Sequence, residues 1–308
     1  MDSFELVPDV WRIYGGIGEN GENFGGIFIN STPGILIGAS GTKTFLRNFK
    51  QLQADLGFSS KFQLLLPNVT AHEIYTLDEM VEVYQNMIIR VHKDQYQAML
   101  KPRVNYFEDR FLNSQLDEAE SVAKKFPKSF DNVQPMDKLT SIETDKTKIL
   151  VIPFPGPHAG HSFIYSRDHK LLCSGLVLGQ TASNPNQYYL DMTGSLDEYH
   201  RALDFLDQAR SEIVVPAYDE PRFISTSGIN TSTIRDSIEM DNKSILEICE
   251  SWISFKDIVK SFKNLRYSFV QTKPYDDLDM TLTVVRKHLY KLLKEGKLVK
   301  QDKKYKRA

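Results

Sequence analysis

Residues 64–80 read LLLPNVTAHEIYTLDEM, and the use made of this stretch governs how the whole chain is read. Leu64-Leu65-Leu66 is an apolar run stopped by Pro67, and Phe62 to Leu66 has the length of a buried strand. Directly after it Asn68, Thr70, His72 and Glu73 crowd into six residues. At that spacing they suit ligands presented where a strand exits into a loop. They suit equally the ordinary polarity of a loop and helix start. Both uses stay open from the residues alone.

The flanking segments place this strand in an α/β chain. Residues 26–30 and 34–37 are apolar runs joined across Ser31-Thr32-Pro33-Gly34, the signature of a hairpin. Phe45, Phe49, Leu52 and Leu56 recur at i, i+4, i+7 and i+11, the stripe of a helix packed on a sheet. The pattern predicts a helix over 77–87 and a strand over 87–92, then a polar, helix-prone cover over about 101–135. A second half follows: a strand at 148–154, the loop PGPHAGH, and strand 162–166 paired with 170–174. Ser195-Leu196-Asp197-Glu198 opens a helix as a capping box, and 212–216 is a last strand.

Composition sets the class. The chain has 308 residues, 41% hydrophobic and 25% charged, ordinary values for a soluble globular protein. No apolar run approaches the ~18 residues of a membrane span. MDSFELVPDVWRIY lacks the basic and apolar regions of a secretory signal, so the expected location is cytoplasmic, with no membrane partner. Cys173 and Cys249 form no C-x-x-C pair, which leaves no thiolate zinc site and no disulfide framework. Net charge is −2, but residues 281–308 hold ten Lys or Arg against two acids; that local +8 leaves −10 on the other 280 residues.

The order of LIGASG, LLLPNVTAHEI, FPGPHAGHSFIYS, LLCSGLVLG and EIVVPAYDEP resembles the metallo-β-lactamase superfamily over residues 4–230. The resemblance implies an α/β fold: a four-layer αββα sandwich. It also implies a dinuclear metal centre, whose ligand positions are here degenerate. Asn68 and Thr70 stand where the first two histidines fall, His72 at the aspartate and Glu73 at the last histidine of the loop. Pro157 takes the next histidine position, with His158 one residue late. Leu176 replaces the bridging aspartate, Tyr218 the final histidine, and Gly38 the aspartate that supports the loop. Leucine, proline and threonine offer a cation nothing comparable to imidazole or carboxylate, so no dinuclear zinc is expected.

Against this stands a residual set. His72, Glu73, His158 and His161 suit a single zinc or iron if they converge. His72, Glu73, His158 and Tyr218, with Asp219 beside them, are the catalytic candidates of a hydrolase with one metal or none. GGIGENGENFGG (15–26) lacks the ending of a phosphate loop and precedes a strand, so it reads as a hairpin turn. Ser174-Gly175 has no nucleophile-elbow frame.

From Ile234 onward the pattern turns helical. Ile234, Ile238, Ile245 and Ile248 mark a long helix, Ile258, Val259 and Phe262 a short one. Val285, Leu289, Leu292 and Leu293 mark a third, closed by Gly296. Leu298-Val299 and Lys303-Lys304-Tyr305-Lys306 suggest a β-wing. VRKHLYKLLKEGKLV resembles the small winged-helix domain that follows the sandwich in the ribonuclease and hydrolase branch of the superfamily, giving domains 1–232 and 233–308. Two uses of its charge stay open. Arg286, Lys287, Lys291, Lys303, Lys304, Lys306 and Arg307 grip the phosphates of RNA or DNA, or the module packs on the main domain or a sister subunit. The expectation is a binding or assembly subunit with a protein partner or self-association. A hydrolase and a nucleic-acid-binding protein are the alternatives.

Overall fold

The three leucines of the opening stretch part company in space: Leu64 and Leu66 enter one apolar cluster and Leu65 another. Side chains alternate across a strand, so a continuous apolar run means that both faces are covered. In a computed structural model of the chain this holds for strand after strand. The structure describes residues 3–18, 23–39, 43–105, 126–127, 129–178, 188–224, 229, 231–265 and 281–308, with the backbone alone at 71, 72, 75, 103 and 104.

The first sheet has the order β1(Ser3–Val7), β2(Val10–Ile17), β3(Asn23–Ile29), β4(Gly34–Ile37), β5(Phe62–Leu65), β6(Ile88–His92) and β7(Val133–Met136). Pairing is antiparallel up to β4 and parallel beyond it. Helices α1(Lys43–Leu56) and α2(Ala71–Val83) are the crossovers that the parallel pairs require. The second sheet runs β13(Arg222–Phe223), β12(Ile213–Pro216), β11(Leu171–Gly175), β10(Ser162–Ser166), β9(Lys148–Pro153) and β8(Thr140–Glu143).

Four layers follow. Ile27, Ile37 and Leu65 of the first sheet meet Val151, Ile164 and Val215 of the second in a shared inner core. Phe28, Leu36 and Leu64 face outward beneath Phe45, Phe49 and Leu52 of α1. On the far side Phe163, Leu172 and Val214 face Tyr199, Leu203 and Leu206 of α5(Leu196–Gln208), after α3(Lys93–Leu100) and α4(Pro102–Asn105). That is an αββα sandwich.

The C-terminal segment builds α6(Ser232–Ile248), β14(Ile253–Ser254), α7(Phe255–Asn264), α8(Thr281–Lys294), β15(Leu298–Gln301) and β16(Lys304–Arg307), with a small sheet ordered β14-β16-β15. Its described apolar side chains share a core with the sandwich: Ile238, Phe262, Val285 and Leu289 join the cluster that holds Phe163 and Tyr199. At the join the Tyr188 hydroxyl lies 2.8 Å from Oδ2 of Asp241 and 2.7 Å from Nε2 of His288. Nδ1 of His288 meets Oδ1 of Asn242 at 2.7 Å. Among the described residues no helix is long and apolar enough to cross a membrane.

Two expectations need correction. The helix predicted over 77–87 starts at Ala71 and ends at Val83, because Glu73 caps its first turn. Within the predicted helical cover, 133–136 is a strand at the edge of the first sheet, hydrogen-bonded to β6; residues 106–125 and 128 of that cover lie outside the described residues.

Candidate functional site

Parallel pairs bring strand ends with chemistry to one edge of an open sheet. Here β5 delivers Pro67 and Asn68, β11 delivers Gly175 and Leu176, and β12 delivers Pro216 to Tyr218. Asn23 of β3 is tied to this edge, its amide donating to the Tyr218 carbonyl at 2.9 Å.

Asn68, Thr70, Glu73 and Tyr218 meet in one hydrogen-bonded knot. Nδ2 of Asn68 donates to Oε1 of Glu73 at 3.1 Å, and the Thr70 amide donates to Oε2 at 2.9 Å. The Thr70 hydroxyl also reaches Oε2, and it lies 2.7 Å from the Tyr218 hydroxyl. Glu73 is thus the acidic half of a capping box (Thr70-x-x-Glu73) at the start of α2. Both of its oxygens accept from the protein. All four residues are buried, between 0% and 3% exposed. Burial raises the pKa of Glu73, and the bonds from Thr70 and Asn68 oppose that rise.

Across the edge, His161 uses both ring nitrogens. Nδ1 donates to the Phe154 carbonyl at 3.0 Å, so Nε2 is the acceptor and takes the Leu176 amide at 3.0 Å. Burial pushes its pKa down to about 3. Gly175 makes this approach available at φ +52°, where an added Cβ would lie 2.4 Å from Nε2. His158 is fully buried, 5.7 Å ring to ring from His161, with Nδ1 2.7 Å from the Ala159 carbonyl. Leu176 sends its side chain into an apolar cluster with Phe24, Tyr189 and Tyr218. Gly38 takes φ +67° at the end of β4, and Pro157 offers its carbonyl to the Asp191 amide. Of His72 only the backbone is described, in the first turn of α2.

A cavity of about 30 Å³ remains beneath the knot, walled by Arg12, Asn68, Glu73 and Cys173 among others. Arg12 belongs to no motif of the sequence. The signal was there: in VWRIY the strand period puts Arg12 on the same inward face as Val10.

The basic positions fall into two groups. Lys287 donates to the Gly194 carbonyl at 2.7 Å and Lys294 bonds Asp197 at 2.6 Å, while Lys291 pairs with Glu295 at 2.5 Å and lies 3.9 Å from Asp197. Lys287 and Lys294 thus reach from α8 to the sandwich. Arg286, Lys303, Lys304 and Arg307 are exposed and Lys306 half-buried.

Several solved structures resemble this chain. A metallo-beta-lactamase family protein of Thermus thermophilus matches 99% of this chain and 100% of its own, with TM-score 0.72 and 15% identity. The fold is that of the metallo-β-lactamases. A beta-lactamase domain protein of Burkholderia ambifaria matches 99% of this chain and 94% of its own at TM-score 0.73 and 16% identity. An archaeal metallo-beta-lactamase superfamily protein of Sulfolobus tokodaii matches 91% and 98% at TM-score 0.52 and 12% identity. No family model and no curated protein sequence matches the chain.

A metallo-β-lactamase fold implies a metal, and the described side chains do not fit one. Among the described residues no three of His, Cys, Asp or Glu gather where they could hold an ion. The carboxylate that stands in the loop is saturated by Asn68 and Thr70, the lone pair of His161 is taken, and the bridging position is an aliphatic side chain in an apolar cluster.

Proposed function

We propose that this chain is a metallo-β-lactamase-fold subunit in which a protein-made plug stands in place of the dinuclear metal centre. Its role is binding or assembly, not hydrolysis. The observation that carries this reading is the closed knot of Glu73 with Asn68, Thr70 and Tyr218, set against the apolar packing of Leu176. A hydrolytic centre needs an open coordination position or a free base within reach of substrate. Here Asn68, Thr70, Glu73 and Tyr218 are each buried and hydrogen-bonded to one another.

The C-terminal unit, residues 233–308, is a winged helix in this reading. The order helix, strand, two helices and a two-stranded wing, with β14 completing the small sheet, supports the assignment. Its third helix turns Lys287 and Lys294 to the sandwich, which favours a docked module and a protein partner, a second copy included, over RNA or DNA.

Turnover assays on β-lactam, thioester and phosphodiester substrates, with and without added zinc, test the reading. The expected result is no rate above buffer. A rate that falls in Glu73→Gln and Tyr218→Phe would overturn it and install a hydrolase built on His72, Glu73, His158 and Tyr218.

A further inference from the structure

Arg12 is a buried cation with an unused donor. It is 2% exposed, and burial works against its charge, with the acids Glu220 and Asp219 nearby opposing that effect. Nη2 donates to the Asn23 carbonyl at 3.2 Å and at the limit, 3.5 Å, to that of Asp219. Nε has no protein partner. Among the described residues no carboxylate pairs with it: Asp219 binds Arg222 and Glu220 takes the Asn23 amide. Gly25 leaves the guanidinium its space, since a Cβ there would lie 2.8 Å from Cζ. A guanidinium stays protonated in a protein, and a buried charge short of a partner is costly.

The cavity of about 30 Å³ lies against this group. One water needs roughly 10–15 Å³ measured this way, so two water-sized particles fit. The wall adds an unpartnered Oδ1 on Asn68 and the Cys173 thiol, whose pKa is pushed up to about 12 and which is therefore neutral. Both oxygens of Glu73 are bonded to Asn68 and Thr70.

We propose that this cavity binds a small monovalent inorganic anion of halide size on Nε of Arg12, with one water donating from there to Oδ1 of Asn68. Water alone would answer the hydrogen bonds; an anion answers them and adds to the partial compensation of the charge by Glu220 and Asp219. A volume of about 30 Å³ favours a halide over sulfate or phosphate. The inference rests on the metal-free reading of the same strand edge.

Crystals of the unmodified protein grown in bromide decide it, with anomalous maps taken at the bromine and zinc edges. A bromine peak within hydrogen-bonding distance of Arg12 Nε, and none at the zinc edge, is expected. No peak at either edge, with water in the cavity, overturns the anion site and leaves the metal-free reading standing. A zinc peak overturns the metal-free reading itself. In solution, chloride or bromide should raise Tm saturably relative to sulfate at matched ionic strength, and Arg12→Gln should abolish the difference. A difference that survives in a folded Arg12→Gln protein overturns the proposal; should that variant not fold, the bromide map stands alone.

Discussion

The backbone amide of Leu176 donates to Nε2 of His161 at 3.0 Å, and that bond fixes the ring as the neutral Nδ1–H tautomer. His161 and His288 are both buried with pKa values pushed down from 6.5 to about 3. The unfolded chain takes up their protons below 6.5 and the folded one does not, so their contribution to stability is present above 6.5 and lost as pH falls toward 3. Each should contribute a slope of about 1.4 kcal/mol per pH unit in that window. Urea midpoints at pH 7, 6 and 5 measure the fall, and His161→Gln should remove about half of this histidine-derived part. A slope unchanged in the variant would contradict the assignment.

Glu73 answers to three neighbours at once, so its loss should be felt by all of them. Glu73→Ala leaves the Asn68 amide, the Thr70 amide and the hydroxyls without their acceptor and should destabilise by about 2–3 kcal/mol. Tyr218→Phe removes one hydroxyl from the same knot and should cost about 1 kcal/mol. Chemical denaturation of both variants gives the ranking; equal small effects would mean that the knot is not formed.

Leu176→Asp restores the residue type that the family resemblance places at that position. In an apolar cluster with Phe24 and Tyr189 the carboxylate has no partner, and a loss of roughly 3–5 kcal/mol is expected. Zinc added to the variant should not recover its Tm. Recovery would show that the ligand set is closer to complete than the bonding indicates.

Much of the architecture is written in the alternation of the strands and the stripes of the helices. Leu64, Leu65 and Leu66 required two covered faces, and Phe45, Phe49 and Leu52 form the buried stripe of α1 as their spacing indicated. The site was less legible. Asn68, Thr70 and Glu73 do converge, but T-A-H-E is both a ligand-like string and a capping box, and only the fold brings Tyr218 to complete the second. Arg12 and His288 sit inside apolar patterns, where a single polar residue is read past. Asn23 faces Arg12 only once β2 and β3 pair, and Tyr188 lies a hundred residues from His288.

Lys287 and Lys294 bind α8 to the sandwich and Lys291 pairs with Glu295, so the exposed Arg286, Lys303, Lys304 and Arg307 remain to meet phosphates. With −10 on the rest of the chain, no gel shift is expected with duplex DNA or single-stranded RNA at micromolar protein. A shift that weakens steeply with salt and is lost on replacing Lys303, Lys304, Lys306 and Arg307 by alanine would restore the nucleic-acid reading.

Tyr188 links the sandwich to α6 and α8 through one hydroxyl. Tyr188→Phe leaves Asp241 and His288 a bond short and should cost about 1–3 kcal/mol. Hydrogen exchange should show the loss first in α6 and α8, where the freed groups lie. Protection unchanged in those helices would mean that apolar packing alone holds the join.

Metal content of the purified protein, read by mass spectrometry alongside Tm with and without a chelator, bears most directly on the central claim. Well under one zinc or iron per chain is expected, with Tm unmoved by the chelator. A bound structural zinc contributes on the order of 10 kcal/mol, so its removal would not be silent. One or two metal ions per chain, or a Tm that drops on chelation, would contradict the account.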